Sequence, residues 1–140
     1  MPKRGYPDFW GAPQAPVFAT KDEVTRTLEA NTSADLLKIE EAGRLLLLYL
    51  EVSHPEGSVL LEVDGEPLYS LSPARLWSYG VVPMLGSAEL HHIDPEGQSI
   101  LTYSGPLYWL NSLTVKAFAP YEHACQFTLI LWWEVFPRAV

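Results

Sequence analysis

The sequence has almost no cysteine, because Cys125 is the only one among 140 residues. No disulfide can form within the chain, which excludes the disulfide-rich scaffolds of small secreted domains. Long apolar runs are also absent, since "LLLLYL" and "LILWW" fall far short of the ~20 residues that a membrane helix needs. The N-terminal "MPKRGYPDFWGAPQAP" has no apolar stretch behind its basic residues and does not predict a signal peptide. We therefore expect a soluble protein that is not exported by the ordinary secretory route, without a membrane partner.

Basic residues are scarce as well. Lys and Arg number 9 against 17 Asp and Glu, which gives a formal net charge of -8. The basic residues are scattered along the chain and form no stripe. An acidic chain repels phosphate backbones, so we expect no nucleic-acid partner.

Motifs that carry chemistry are missing too. The sequence contains no G-x-S-x-G, no H-E-x-x-H, no phosphate-binding glycine loop and no paired-cysteine metal motif. Cys125 begins the apolar face of a predicted strand, which favours a buried structural thiol over a nucleophile. His92 and Asp94 would share one strand face and could begin a metal site with His54 or His123, but the interpretation we favour is a histidine pair on a hairpin arm that leads into an Asp-Pro turn. We predict no catalytic residue, no cofactor and no metal.

The sequence does contain many short segments in which apolar and polar residues alternate. In "CQFTLILWWEVF" the odd-numbered residues from Cys125 to Val135 would share one face. The segments "EVTRTLEA", "ADLLKIEE", "SAELHHI", "QSILTY" and "SLTVKA" favour strands, whereas the proline- and glycine-rich 71–86 predicts a loop-rich crossover. About eight strands favour an antiparallel β-sandwich or jelly roll in a single domain over 20–140, with a small closed barrel as the alternative.

A hairpin is predicted at Asp64-Gly65, because both residues tolerate the positive φ that a type I′ turn requires. A two-residue loop there places Leu61 opposite Leu68. Pro67 cannot donate a backbone hydrogen bond to a neighbouring strand. We therefore predict that the strand after the turn lies at a sheet edge.

Residues 1–19 form a separate zone. Their prolines exclude regular helix and interrupt a sheet, yet aromatic residues stand between them, which a disordered tail normally lacks. We predict an extended N-terminal arm. It packs either on its own domain or on a neighbouring subunit, and the sequence leaves both open.

The leucine-rich "LLLLYLEV" is apolar on both of its faces. Its even-numbered residues would form one face and Leu45, Leu47 and Tyr49 the other, although a sandwich strand needs only one. Ile130 and Trp132 repeat this arrangement near the end of the chain. Because monomers rarely expose apolar patches of that size, we predict a subunit interface. It comprises Tyr6, Phe9, Trp10, Phe18, Leu45, Leu47, Tyr49 and Trp132.

Aromatic residues suggest a second function. The chain has 5 Trp and 7 Tyr, and such rings stack on sugars or anchor protein interfaces. The candidates for stacking on a ligand are Trp77, Tyr79, Tyr108 and Trp109. They leave open a carbohydrate- or receptor-binding β-sandwich module with a glycan as its ligand.

The order of these segments resembles that of small β-sandwich virion proteins of tailed bacteriophages. The shared features are Gly43 before a long apolar strand, the "VDG" turn at 63–65, and the "LNSLTVKA" strand before a final apolar strand. The likeness spans 24–136. It implies a non-enzymatic tail, baseplate or capsid accessory subunit that binds copies of itself and other virion proteins. It also implies assembly in the host cytoplasm and a final place in the virion.

Overall fold

The computed structural model describes residues 19–78, 88–94 and 97–135. Within these ranges the chain forms ten strands, all paired antiparallel, and one short helix, α1 (Pro73–Ser78). The strands are β1 (Thr20–Leu28), β2 (Ser33–Ile39), β3 (Gly43–Val52), β4 (Ser58–Val63), β5 (Glu66–Leu71), β6 (Ala88–His92), β7 (Ser99–Tyr103), β8 (Tyr108–Trp109), β9 (Leu113–Phe118) and β10 (Cys125–Val135). The predicted all-β antiparallel class is confirmed, with more strands than the eight or so expected. The predicted arm, residues 1–19, lies outside the described residues except for Ala19.

Two sheets pack on each other. The large sheet has six strands in the order β1-β10-β3-β7-β6, with β8 pairing with the start of β3. The small sheet has the order β2-β9-β4-β5. Their facing sides form one continuous apolar core that draws residues from every strand and from α1.

The longest strand, β10, confirms the alternation read from the sequence. Its odd-numbered residues from Cys125 to Trp133 are buried, and Val135, at 48 % exposure, lies beyond the core. Burial of a leucine or phenylalanine side chain contributes about 1.5–3 kcal/mol relative to exposure. The strand β10 pairs with β1 on one side and with β3 on the other. Its buried odd-numbered residues therefore pack the middle of the large sheet against the small sheet.

The predicted hairpin connects β4 and β5. Asp64 and Gly65 both have positive φ, 54° and 86°. The strand β5 is the terminal strand of the small sheet, so the edge position inferred from Pro67 is confirmed. The predicted partner of Leu61 was wrong: the register shifts next to Glu62, so that Leu61 pairs with Tyr69 and the skipped Leu68 remains 48 % exposed. A bulge at an edge strand weakens further pairing there.

Helix α1 was not predicted, because the prolines and glycines around it favoured a loop. Its start nevertheless follows ordinary capping rules. Ser72 is the N-cap, with its hydroxyl accepting from the N–H of Arg75 at 3.5 Å, and Pro73 takes the first helical position. The N–H of Ala74 donates to the carbonyl of Pro55 at 2.9 Å, which ties the helix to the turn between β3 and β4.

The carboxylate of Asp64 fastens the hairpin to the loop between β8 and β9. It accepts the backbone N–H groups of Asn111 at 2.6 Å, Ser112 at 3.0 Å and Leu110 at 3.1 Å. These hydrogen bonds, first those from Asn111 and Ser112, hold the pKa of Asp64 below its usual value of 3.8. The turn that the sequence predicted therefore also fastens the β4–β5 hairpin to the loop before β9, more than 40 residues later in the sequence.

Gly43 allows two buried indoles to meet at the start of β3. A Cβ at this position would lie 2.6 Å from Cζ2 of Trp109 and 2.9 Å from Cε3 of Trp133. Both rings are held in place by hydrogen bonds. Trp109 donates its indole N–H to the carbonyl of Glu41 at 2.7 Å, and Trp133 donates to Oδ2 of Asp22 at 2.8 Å.

The substitution Gly43→Ala should therefore destabilise the protein by about 1–3 kcal/mol, the usual cost of overpacking a filled core. Chemical denaturation measures this change. Gly97→Ala is the control, because a Cβ there meets the exposed side chain of Asp94 and no buried ring. Equal stabilities of the two variants would contradict the packing argument.

Asp64→Asn should cost about 1 kcal/mol at neutral pH, since asparagine keeps the positive φ but loses the charge that strengthens the loop hydrogen bonds. The folded-state pKa of Asp64 is depressed, so its stabilisation is complete above 3.8 and is lost as pH falls through the lower folded value. The difference in free energy of unfolding between the wild type and Asp64→Asn should therefore become smaller when chemical denaturation is repeated at lower pH. Asp35→Asn, an exposed change on β2, is the control, and a gap that stays constant with pH would contradict the assignment.

Candidate assembly surface

The outward side of the large sheet carries the second apolar face that the sequence predicted. In the ladder between β3 and β10, Leu47 lies opposite Trp132 and Tyr49 lies opposite Ile130. All four are half-buried, whereas residues on the inward side of the same strands are fully buried. Ile100 of β7, opposite Glu51, extends the surface. We define the outer patch as Leu47, Tyr49, Ile100, Ile130 and Trp132.

A bulge in β3 decides which leucines face outward. Trp132 pairs with Leu47 but Trp133 pairs with Leu45, so Leu46 is an extra residue without a partner in the ladder. The prediction that Leu45 shares a face with Leu47 was wrong. Leu45 is 3 % exposed and belongs to the core, because the extra residue reverses the alternation for the first part of the strand. No turn signal or glycine marks this bulge in the sequence.

Four of the charged residues beside the outer patch form two ion pairs, whereas Glu51, opposite Ile100, is in none of the ion pairs of the described residues. Arg44 and Glu134, opposite one another on β3 and β10, form an ion pair. Lys21 of β1 lies 3.7 Å from Glu23 and 5.8 Å above the ring of Trp132. The exposed pair of Lys21 with Glu23 adds little stability, about 0–1 kcal/mol, whereas Glu134 is only 15 % exposed in its pair with Arg44. Both pairs cancel charge beside the patch in a chain whose net charge is -8.

A small polar cleft of about 130 Å³ borders the outer patch, lined in part by Glu51, Gln98 and Thr128. The hydroxyl of Tyr49 donates to Oε2 of Glu51 at 2.7 Å, and Gln98 donates to the other carboxylate oxygen. Burial, the hydrogen bond to Glu51 and the negative charge of Glu51 raise the pKa of Tyr49 to about 12. Both oxygens of the Glu51 carboxylate therefore accept a hydrogen bond. No pattern in the sequence predicts that Gln98 contacts this carboxylate.

The predicted interface residues divide into three groups. Leu47, Tyr49 and Trp132 lie on the outer patch, and Leu45 lies in the core. The arm residues of the prediction lie outside the described residues; they are Tyr6, Phe9, Trp10 and Phe18. The interface itself remains a prediction.

The predicted ligand-stacking aromatics are not in one place. Trp109 is 1 % exposed and packs against Trp133, with ring centroids 5.9 Å apart, so it cannot stack on a ligand. Tyr108 is 48 % exposed on β8, and Trp77 is 58 % exposed on α1. Tyr79 lies outside the described residues. Strand alternation explains why Tyr108 is exposed while Trp109 is buried, because adjacent residues of a strand face opposite sides of the sheet.

The sequence suggested that His54 or His123 could join His92 and Asp94 in a metal site. His54 and His123 stack on each other, with ring centroids 4.4 Å apart and 18° between the planes. Among the residues that the structure describes, no group of three or more His, Cys, Asp or Glu side chains is placed to share a metal ion. Cys125 is buried, as predicted, next to Gly57.

Comparison with protein-family models gives no match for this chain, and a search of curated proteins gives none either. The resemblance to bacteriophage virion proteins therefore rests on the sequence pattern alone. No helix within the described ranges combines the length and hydropathy that crossing a bilayer requires.

The link between Tyr49 and Glu51 predicts a specific titration. Glu51→Gln should lower the pKa of Tyr49 from about 12 toward, but not to, its usual value of 10.0, because burial still raises it. Tyrosinate absorbance during alkaline titration measures the shift. In a Tyr49→Phe background the same Glu51→Gln change should shift nothing. An unchanged titration in the single variant would contradict the hydrogen bond.

Proposed function

We propose that this protein is a non-enzymatic structural subunit that assembles with copies of itself through the outer patch. The observation that supports this most is the position of the patch. It lies at the centre of the large sheet, on the reverse side of the two strands, β3 and β10, that supply much of the core. Central strands of a sandwich usually present polar residues outward, and apolar ones there indicate a surface that becomes covered.

A second copy of the chain is the occupant that the charges favour. Two copies with a net charge of -8 each repel one another over most of their surfaces. At the outer patch two ion pairs, Arg44 with Glu134 and Lys21 with Glu23, cancel part of the charge, which reduces the repulsion between two copies at this surface. Trp132 and Tyr49 are residue types that act as anchors in interfaces, and a two-fold axis would bring each patch onto its equivalent.

The setting we propose for this assembly is a bacteriophage virion, with the protein as a tail, baseplate or capsid accessory subunit. Support for this setting comes from the sequence resemblance over 24–136. In this proposal the fold is of the jelly-roll kind, and the proline-rich arm lies across a neighbouring subunit as a strap. Other virion proteins would complete the contacts.

Substitution on the outer patch should separate the subunits. Leu47→Glu and Ile130→Glu each place a charge at the centre of the proposed contact and should weaken self-association by about thirtyfold or more. Light scattering coupled to size-exclusion chromatography over a concentration series measures this. Both positions face away from the core, so the variants should stay folded by circular dichroism.

The matched control is Leu60→Glu, which makes the same change at a half-buried leucine on β4, in the small sheet. It pairs with Lys116 and Ser70 and should leave association intact. A monomeric wild-type protein, or equal effects at positions 47 and 60, would contradict the proposed surface. Electron microscopy of the assembled wild type then tests the virion setting, for which rings, tubes or particle decoration are expected and an isolated dimer is not.

A further inference from the structure

The exposed Trp77 belongs to a groove that the assembly surface does not include. The groove has a volume of about 410 Å³ and is lined by Pro55, Glu56, Ala74, Trp77 and Ile93. That volume is within the range of small-molecule sites, roughly 300–1,000 Å³. It is built from α1, the turn between β3 and β4, and the residue after β6, so it is independent of the outer patch and of the proposed assembly.

The indole of Trp77 is exposed, although its neighbour in the helix is buried. Leu76, its neighbour in α1, is 3 % exposed and packs in the core, whereas Trp77 is 58 % exposed. An indole left in water forgoes most of its hydrophobic stabilisation. Its flat face, next to the apolar Ala74 and Ile93, instead forms an open platform.

One charged side chain, Glu56, lines this groove, and another, Arg75, lines a second groove that adjoins it. A second groove on the same helix is lined by Glu56, Ala74, Arg75 and two serines, so Glu56 borders both grooves. Within the described part of the chain, the Glu56 carboxylate and the Arg75 guanidinium enter no ion pair. Both remain available to a ligand.

The backbone that carries these groups is fixed. The carbonyl of Pro55 accepts hydrogen bonds from the N–H of Ala74 at 2.9 Å and the hydroxyl of Ser72 at 3.4 Å. The N–H of Glu56 donates to Nδ1 of His54 at 3.2 Å. A site whose parts are held before binding loses less entropy when the ligand arrives.

We propose that this groove binds a neutral glycan, with the apolar face of one pyranose ring stacked on Trp77. The hydroxyls of that ring would donate to the Glu56 carboxylate, and those of a second ring in the adjoining groove would accept from the Arg75 guanidinium. A pyranose has the required combination, an apolar C–H face and a rim of hydroxyls that both donate and accept. A simple cation would suit Trp77 and Glu56 but would leave the adjoining groove, with Arg75 and two serines, unoccupied, and a simple anion would be repelled by Glu56.

The test is a microarray of neutral oligosaccharides probed with the labelled full-length protein, followed by titration of each binding glycan against intrinsic fluorescence. Trp77→Ala should weaken binding by about tenfold or more, and Glu56→Gln should weaken it while the platform remains. Tyr108→Ala is the matched control, since Tyr108 is a comparably exposed aromatic, 48 % against 58 %, on β8 and outside the lining of the groove.

Three results would overturn the proposal. They are the absence of binding to every neutral glycan on the array, binding that survives both Trp77→Ala and Glu56→Gln, and binding of choline or of a short peptide at this groove in place of any glycan. Light scattering of the Trp77→Ala variant keeps the two proposals separate, because its self-association should equal that of the wild type. Loss of both properties would indicate misfolding, which circular dichroism detects and which the milder Glu56→Gln change avoids.

Discussion

The pairing of β3 with β10 is the constraint on which the rest of the structure depends. These two strands lie side by side in the large sheet, with β1 beyond β10 and β7 beyond β3. Their inward residues cover the small sheet, and their outward residues form the outer patch. Since both sides of one ladder are apolar, a substitution in this pair affects either the core or the proposed contact between subunits. The alternation decides which of the two is affected.

Much of the architecture could be predicted because it follows from local rules. The alternation in β10, the Asp64-Gly65 turn and the effect of Pro67 each involve neighbouring residues only, and each predicted the observed element. The helix α1 carried a readable signal in Ser72 and Pro73 that the surrounding glycines outweighed. The bulges at Leu46 and beside Glu62 had no such signal, because they are set by what the partner strand requires.

The candidate sites show the same division between local and distant causes. That an apolar second face exists could be read from "LLLLYL", but the membership of Leu47 and the exclusion of Leu45 could not. The sequence predicted Trp77 as one of four aromatic residues that could stack on a ligand. Its position next to Glu56, 21 residues earlier in the sequence, depends on the hydrogen bonds that fix α1 on the turn after β3.

The bulge at Leu46 has a further consequence for how β3 tolerates changes in length. On either side of it the strand alternates regularly, and Leu45 and Leu47 pair with adjacent residues of β10. The chain therefore carries a spare residue at this point. Loss of one residue here would keep every other side chain on its present side of the sheet, whereas loss of one residue near Leu50 would exchange core and surface for half of the strand. Related sequences of different strand length would be expected to vary at this position first.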